Sequence, residues 1–160
     1  AMTWCAVGLA AFLLCGCESF SGGDSSKSTT TKAATKSLYD RLGGEPAITK
    51  VVNDFVGIAA TDPKVNFFRK GTAKEWKPTD ADVAQLKKLL VQFIGGATGG
   101  PQKYEGRDMK TTHAGMKISA LEFAAIAVDL KSALVKNGVP EREQSEVLGI
   151  VSTTQKDIVE

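Results

Sequence analysis

Apolar side chains recur at spacings of three and four residues along most of the chain, a pattern that predicts amphipathic helices. The first long helix is expected to begin near Glu45, with Pro46 in its first turn, and to end at Asp62-Pro63. Its apolar face consists of Ile48, Val51, Val52, Phe55, Ile58 and Ala59. A second helix follows Thr79, which suits an N-cap, and we expect Gly95-Gly96 to end it. Its apolar face consists of Val83, Leu86, Leu89, Leu90, Phe93 and Ile94.

Two more helices are predicted in the last third of the chain. Ser119 and Glu122 form a capping-box pattern, and Asn137-Gly138 ends the helix that they begin. Its face consists of Phe123, Ile126, Ala127, Leu130 and Leu134. The last helix begins at Pro140, and its face consists of Val147, Ile150, Val151, Thr154 and Ile158. Since no alternating strand pattern exceeds about four residues, we predict an all-α domain of four main helices.

One long irregular connection interrupts this helical pattern, at residues 99–113 (GGPQKYEGRDMKTTH). It begins as a glycine-rich turn and ends at His113, which is the only histidine in the chain. A polar segment therefore places a single imidazole in a scaffold that is otherwise helical and apolar on its inner faces.

Composition narrows the classes of protein that fit. The length of 160 residues suits one domain with a tail, and 42% hydrophobic with 24% charged residues is ordinary for a globular fold. A net charge of +2, dispersed along the chain, gives no basis for nucleic-acid binding. All three cysteines lie in the first 17 residues, which excludes a disulfide framework or a cysteine zinc site in the folded domain.

The N-terminus resembles a bacterial lipoprotein signal. Residues 4–14 form an uncharged apolar run of 11 residues, too short to span a bilayer and typical of a secretory signal. Leu14-Cys15-Gly16-Cys17 then resembles a lipobox, in which Cys17 is the expected lipid acceptor because Gly16 before it is small. We predict a signal peptide at 1–17; the alternative is an ordinary secretory signal cut nearby.

Residues 18–36 (ESFSGGDSSKSTTTKAATK) are rich in Ser, Thr, Gly and Lys. Such a composition buries too little apolar surface to offset the entropy of ordering, so we predict a disordered linker that leads to a domain at 37–160. Together these features predict a protein of the cell envelope, on the periplasmic side, with a membrane tether through lipidated Cys17. Glu18 after that cysteine favours the outer membrane.

The candidate chemistry is limited by the single histidine. No carboxylates at helical spacing accompany His113 to complete a zinc site, no serine suits a nucleophile elbow, and no phosphate-loop motif is present. A lone imidazole that faces an apolar pocket suits haem iron, which needs one proximal ligand. From the residues alone, a structural or surface histidine remains the alternative.

Several motifs in order resemble the group I truncated haemoglobins. They are LYDRLGG at 38–44, Asp54-Phe55, Asp62-Pro63 with Phe67-Phe68, the string GGP…Y.G..M…H from Gly99 to His113, and Ile118 with Phe123. The resemblance covers residues 38–158. It implies a truncated-globin fold, a sandwich of two helices over two, around haem b (iron protoporphyrin IX).

The resemblance also implies roles for individual residues. His113 matches the proximal ligand of the haem iron, and Phe68 matches the phenylalanine packed on the haem. Pocket-wall positions are matched by Met109, Ile118 and Phe123. Tyr104 lies in the glycine-rich region, where we expect it to have a structural role.

The distal side departs from the family pattern. Family members often carry a tyrosine directly after the phenylalanine of the second helix, but here Phe55 is followed by Val56. The position of a common distal glutamine matches Leu90, and the neighbouring distal position matches Leu86. We therefore expect an apolar distal pocket and rapid loss of oxygen. The alternative is a helix shift that turns Gln85 or Gln92 inward.

The function implied is reversible binding of a diatomic gas, O₂, CO or NO, through the proximal histidine. One alternative is a gas sensor or store for CO or NO that needs a partner. Another is nitric oxide dioxygenase activity with an external electron donor, although enzymatic activity is not the expected principal role. A third is a domain that keeps the fold without haem.

Overall fold

The computed structural model describes residues 36–160, which contain seven helices. These are α1 (Leu38–Leu42), α2 (Gly44–Ala59), α3 (Asp80–Ala97), α4 (Met109–His113), α5 (Ala120–Lys136), α6 (Glu141–Ser152) and α7 (Gln155–Ile158). The predicted all-α class with four main helices is confirmed for this part of the chain. The predicted signal peptide at 1–17 and all but the last residue of the predicted linker at 18–36 lie outside the described residues.

Capping boxes begin three of the helices. In each, a Ser or Thr side chain accepts from the backbone N–H three residues on, and the acidic side chain there accepts from the cap N–H. The pairs are Ser37 with Asp40 for α1, Thr79 with Asp82 for α3 and Ser119 with Glu122 for α5. The predicted starts at Thr79 and Ser119 are confirmed. Helix α1 was not predicted, because five residues show too little periodicity.

The prediction that Gly95-Gly96 ends the second main helix is wrong, because α3 continues to Ala97. A Cβ atom on Gly95 would lie 2.6 Å from Oε1 of Gln102, and one on Gly96 would lie 2.8 Å from the Gln102 carbonyl oxygen. The two glycines therefore let the loop after α3 pack directly on the helix, and their role is close approach rather than termination.

Two other helix ends differ from the sequence prediction. Helix α2 ends at Ala59, before Asp62, and the last predicted helix is divided into α6 and α7. At the division, the hydroxyls of Thr153 and Thr154 each donate to a carbonyl three residues back, at 2.7 Å. Such local bonds compete with the helical pattern, which accounts for the break.

The predicted sandwich of two helices over two is present. Helix α2 packs on both α3 and α5, and α5 packs on α6, while the short α4 packs mainly on α7. The buried core between the long helices consists of Leu38, Ile48, Val51, Val52, Phe55, Val56, Ala59, Val91, Ile94, Leu130, Ala133, Leu134 and Val147. In residues 36–160 no helix combines the length and the apolarity needed to cross a membrane.

Asp129 on α5 is a buried carboxylate that the fold compensates only in part. It is 5% exposed, and its Oδ2 has no hydrogen-bond partner among the described residues. Burial raises its pKa above the ordinary value of 3.8, and the nearby negative charge of Asp62 adds to this, while Lys64 opposes it. A buried charge that is compensated only in part destabilises the folded state wherever the group is ionised.

Asp129→Asn should therefore stabilise the protein by about 1 kcal/mol at pH 7, since it removes the charge and keeps the shape. The gain should fade as the pH falls through the raised folded pKa and should vanish below the ordinary value, where Asp129 is neutral in both states. Urea unfolding of both proteins between pH 3 and pH 7 measures this. Asp62→Asn should give a smaller gain, and a gain independent of pH would contradict the account.

Candidate functional site

His113 is the last residue of α4 and has a defined ring orientation. The Asp108 carboxylate caps the helix by accepting from the Thr111 N–H at 2.8 Å. The Nδ1 atom of His113 lies 2.7 Å from the carbonyl oxygen of Met109, one turn earlier. Because a carbonyl only accepts, Nδ1 carries a proton, and in the neutral ring Nε2 therefore keeps its lone pair. The ring is thus prepared to coordinate a metal through Nε2.

The turn after His113 is held by the backbone and by Glu160. The Met116 N–H donates to the His113 carbonyl at 3.0 Å. The Glu160 carboxylate accepts from the N–H groups of Gly115 and Lys117, at 2.7 and 2.8 Å, and these bonds lower its pKa. The backbone that follows the histidine is therefore fixed from the side of α7.

A tight turn presents the two phenylalanines. The Arg69 N–H donates to the Asn66 carbonyl at 2.9 Å, which leaves Phe67 and Phe68 as the central residues of a four-residue turn. Phe68 stacks on Trp76, with ring centroids 6.2 Å apart. Trp76 was not predicted to take part in this cluster. The signal that could have identified it is a tryptophan in a connector that lacks a helical pattern.

Arg69 is a second residue near the candidate site that was not predicted from the sequence. Its side chain is buried, and its Nε donates to the Asn66 carbonyl at 2.6 Å. Nη1 donates to the Met116 carbonyl at 2.9 Å, and Nη2 forms an ion pair with the Glu122 carboxylate. These partners lie up to 53 residues away along the chain, so no local pattern could have revealed them.

The predicted distal residues lie on α2 and α3. Phe55 and Val56 are buried in the core, Leu90 is half-buried and packs against that core, and Leu86 is half-buried. Leu86 and Leu90 are four residues apart, so they share one face of α3. The structure thus brings Phe55, Val56 and Leu90 together in or against one apolar core.

Neither glutamine beside this face is turned toward it. Gln85 is exposed. The Gln92 amide donates to the Glu105 carboxylate at 2.9 Å, and its Oε1 accepts from the Glu105 N–H at 3.3 Å. Bonds from Gln92 and Lys88 lower the Glu105 pKa. Gln92 lines a groove of about 520 Å³ between α2, α3 and the loop that follows α3, and none of the predicted site residues lines this groove.

Tyr104 supports the loop before α4. Its ring meets Phe93 edge-on, with centroids 5.8 Å apart, and its hydroxyl donates to the Arg107 carbonyl at 3.0 Å. A Cβ atom on Gly106 would lie 2.3 Å from the tyrosine ring, so the glycine makes room for it. These contacts agree with a structural role for Tyr104.

The remaining predicted residues lie on the proximal side. Met109 is half-buried, and its carbonyl orients His113. Ile118 is half-buried and pairs with Val159 in a single parallel bridge. Phe123 is buried but does not belong to the core between the long helices. Among the described helices, α3 and α4 are not a principal packed pair, so Leu86 and Leu90 lie on a helix that makes few contacts with the helix of His113.

These residues fit a haem. Residues 36–160 contain no group of three or more His, Cys, Asp or Glu side chains that could hold a metal ion, so a metal bound there at His113 would need ligands from a cofactor. The protonated Nδ1 leaves one imidazole nitrogen for that purpose. A haem also needs an apolar surface against its flat macrocycle. Four half-buried apolar side chains offer such a surface: Phe68, Leu86, Met109 and Ile118.

The sequence matches known globins over residues 37–160. The profile of the family described as bacterial-like globin matches residues 37–160. The chain is 35% identical over 127 residues to the group 1 truncated hemoglobin GlbN of Mycolicibacterium paratuberculosis, covering 79% of this chain and 87% of that protein. It is 34% identical over 122 residues to the protein of the same name from a Nostoc species, covering 76% and 96%.

Solved structures agree with this. The truncated hemoglobin of Tetrahymena pyriformis in its Fe(III) form superposes with a TM-score of 0.67 at 30% identity, covering 78% of this chain and 98% of that chain. The 2/2 hemoglobin of Synechococcus sp. PCC 7002, described with covalently attached heme, gives a TM-score of 0.65 at 30% identity with the same coverage.

Proposed function

This chain belongs to the group 1 truncated haemoglobins among the bacterial-like globins, a haem-binding family, and on that premise we propose that it holds haem b through His113 and binds small diatomic gases reversibly. The carrying observation is the His113 ring, which has its Nδ1 proton on the Met109 carbonyl and its Nε2 free. Haem supplies the iron at which the gas binds. The residues of the chain orient the imidazole, exclude water and determine what surrounds the gas.

The distal side determines which gases are held. Val56, Leu86 and Leu90 offer neither a donor nor an acceptor, and Gln92 is bonded to Glu105 away from them. A hydrogen bond to a polarised ligand contributes about 1.5–3 kcal/mol when it is charge-assisted. Oxygen becomes polarised when bound and depends on such a bond, whereas CO is nearly neutral and does not. We therefore propose that oxygen leaves quickly and that discrimination against CO is weak.

Spectra of the purified ferrous protein with and without O₂ and CO test the gas-binding proposal. A Soret band that shifts with each gas is expected, and a fully haem-loaded preparation without gas-dependent shifts would exclude it. Stopped-flow measurement of oxygen release tests the distal side. Release should be fast, and Gln92→Leu should leave the rate unchanged because the amide is engaged with Glu105. Slow release that Gln92→Leu accelerates would show an inward-turned glutamine.

Storage or sensing of CO or NO follows from the same apolar distal side and requires a partner for output. Nitric oxide dioxygenation is less favoured, because it needs retained oxygen and an external electron donor. Stoichiometric nitrate formation when NO meets the oxygenated protein would favour detoxification over storage. Its absence, with NO bound reversibly, would favour the store.

The proposed location is the periplasmic side of the outer membrane, with Cys17 as the lipid anchor. It is supported by the apolar run at 4–14 and the small Gly16 before Cys17. Intact-mass analysis of the mature protein decides this, because a chain that starts anywhere other than a lipidated Cys17 contradicts the tether.

A further inference from the structure

We propose that Arg69 is a positioning residue for the haem site, which fixes the turn that carries Phe67 and Phe68 against the turn that follows His113. The inference rests on the proposed haem site but concerns contacts within the chain itself. Its basis is the buried Arg69 guanidinium, which contacts three places: the turn of Phe67 and Phe68, the turn after His113 and the start of α5.

The first contact closes the aromatic turn. The backbone N–H and the side-chain Nε of Arg69 both donate to the Asn66 carbonyl, at 2.9 and 2.6 Å. Arg69 has a φ of 50°, in the left-handed region that most residues other than glycine avoid. A strained backbone of this kind persists where surrounding contacts determine it. Here the side chain supplies those contacts, and the position of Phe68 depends on them.

The second contact reaches the proximal histidine through one residue. Nη1 of Arg69 donates to the Met116 carbonyl at 2.9 Å, while the Met116 N–H donates to the His113 carbonyl at 3.0 Å. The Met116 residue is thus bonded to Arg69 at one end and to His113 at the other. Any displacement of the guanidinium is passed to the backbone that carries the imidazole.

The third contact anchors the guanidinium to α5. Nη2 pairs with the Glu122 carboxylate, which also accepts from the Asn66 N–H at 3.3 Å and completes the capping box with Ser119. Arg69 is 6% exposed, so solvent competes little for these bonds. Three directed donors on one planar group match the geometry of arginine, which lysine cannot reproduce.

The variant Arg69→Gly removes the side chain, and glycine accepts the positive φ without strain. Groups that hydrogen-bond a metal ligand typically affect metal binding by about 10- to 100-fold. Arg69 acts one residue further out, through Met116, so haem loss to an acceptor globin should accelerate by roughly tenfold, the lower end of that range. The Fe–His stretching frequency of the ferrous protein should shift. In haem-free protein, amide exchange in residues 114–119 should accelerate more than exchange in α2 and α6.

Arg41→Ala is the matched control. Arg41 also joins two elements through carboxylates, those of Glu143 and Glu146 on α6, but it has no contact with the turn after His113. It should lower stability without shifting the Fe–His frequency or the exchange of residues 114–119. Arg69→Lys is the milder variant if Arg69→Gly does not fold. It keeps the charge beside Glu122 and should still lose the protection at 114–119.

A merely stabilising role for Arg69 predicts a different result. Both arginine variants would then lower stability, exchange would rise evenly along the chain, and the Fe–His frequency would stay at the wild-type value. That result overturns the proposal while leaving the haem site intact. Wild-type protein without a Soret band would instead contradict the proposed function, and the exchange measurement on haem-free protein would still test Arg69.

Discussion

His113→Ala protein, purified with haem supplied in excess, should show no Soret band of a histidine-ligated globin. Loss of a contact outside a metal site typically weakens metal binding by about 10- to 100-fold, and loss of the ligand itself should exceed that. No other imidazole is available as a replacement, because the sequence has one histidine. Absorption spectra and haem titration of the variant measure the effect.

Two controls separate loss of the ligand from damage to α4. Asp108→Ala removes the cap that accepts from the Thr111 N–H and should weaken haem binding without abolishing the spectrum. Imidazole added to the His113→Ala protein should restore a ligated spectrum, since the space of the ring is left open. If the His113→Ala protein kept the wild-type spectrum, His113 would not be the ligand.

Local signals predicted the helices well where their cause is local. Thr79 and Ser119 begin α3 and α5 because side-chain caps act within three residues. The prediction from Gly95-Gly96 was wrong because these glycines are required by a contact that is not local. Gln102, in the loop after α3, approaches both glycines closely. In the sequence alone, a glycine pair that permits such an approach looks the same as a glycine pair that ends a helix.

The candidate site was predicted unevenly for the same reason. Motif resemblance predicts His113, Phe68 and the apolar positions Val56 and Leu90, because it needs no knowledge of the packing. Arg69 does not follow, because its partners Met116 and Glu122 lie 47 and 53 residues further along the chain.

The orientation of side chains also lay outside the sequence prediction. Whether the Gln92 side chain points toward Leu86 and Leu90 or away from them depends on its hydrogen bond to Glu105. Glu105 lies 13 residues further along the chain, in the irregular loop before α4. The helical spacing of α3 left this open, since its boundary could have moved by a few residues. In the structure Gln92 lines the groove between α2 and α3, and the face of Leu86 and Leu90 remains apolar.

Val56→Tyr should slow oxygen release by about 10- to 100-fold, the kinetic equivalent of one charge-assisted hydrogen bond of about 1.5–3 kcal/mol. The matched control is Val56→Phe, which adds the same ring to a buried position but no hydroxyl. Both variants carry the same overpacking cost in the core, so the ratio of their release rates isolates the hydroxyl. Stopped-flow release of O₂ and CO measures it.

The CO rates make the comparison decisive. Because CO is little polarised, the tyrosine and phenylalanine variants should release it at similar rates, while their oxygen rates differ. If both variants slow both gases equally, the ring acts by obstruction and Val56 offers no position for a donor. If neither changes either rate, the gas is not adjacent to Val56. A selective effect on oxygen would instead show that this chain lacks oxygen retention because of Val56, since one hydroxyl there restores it.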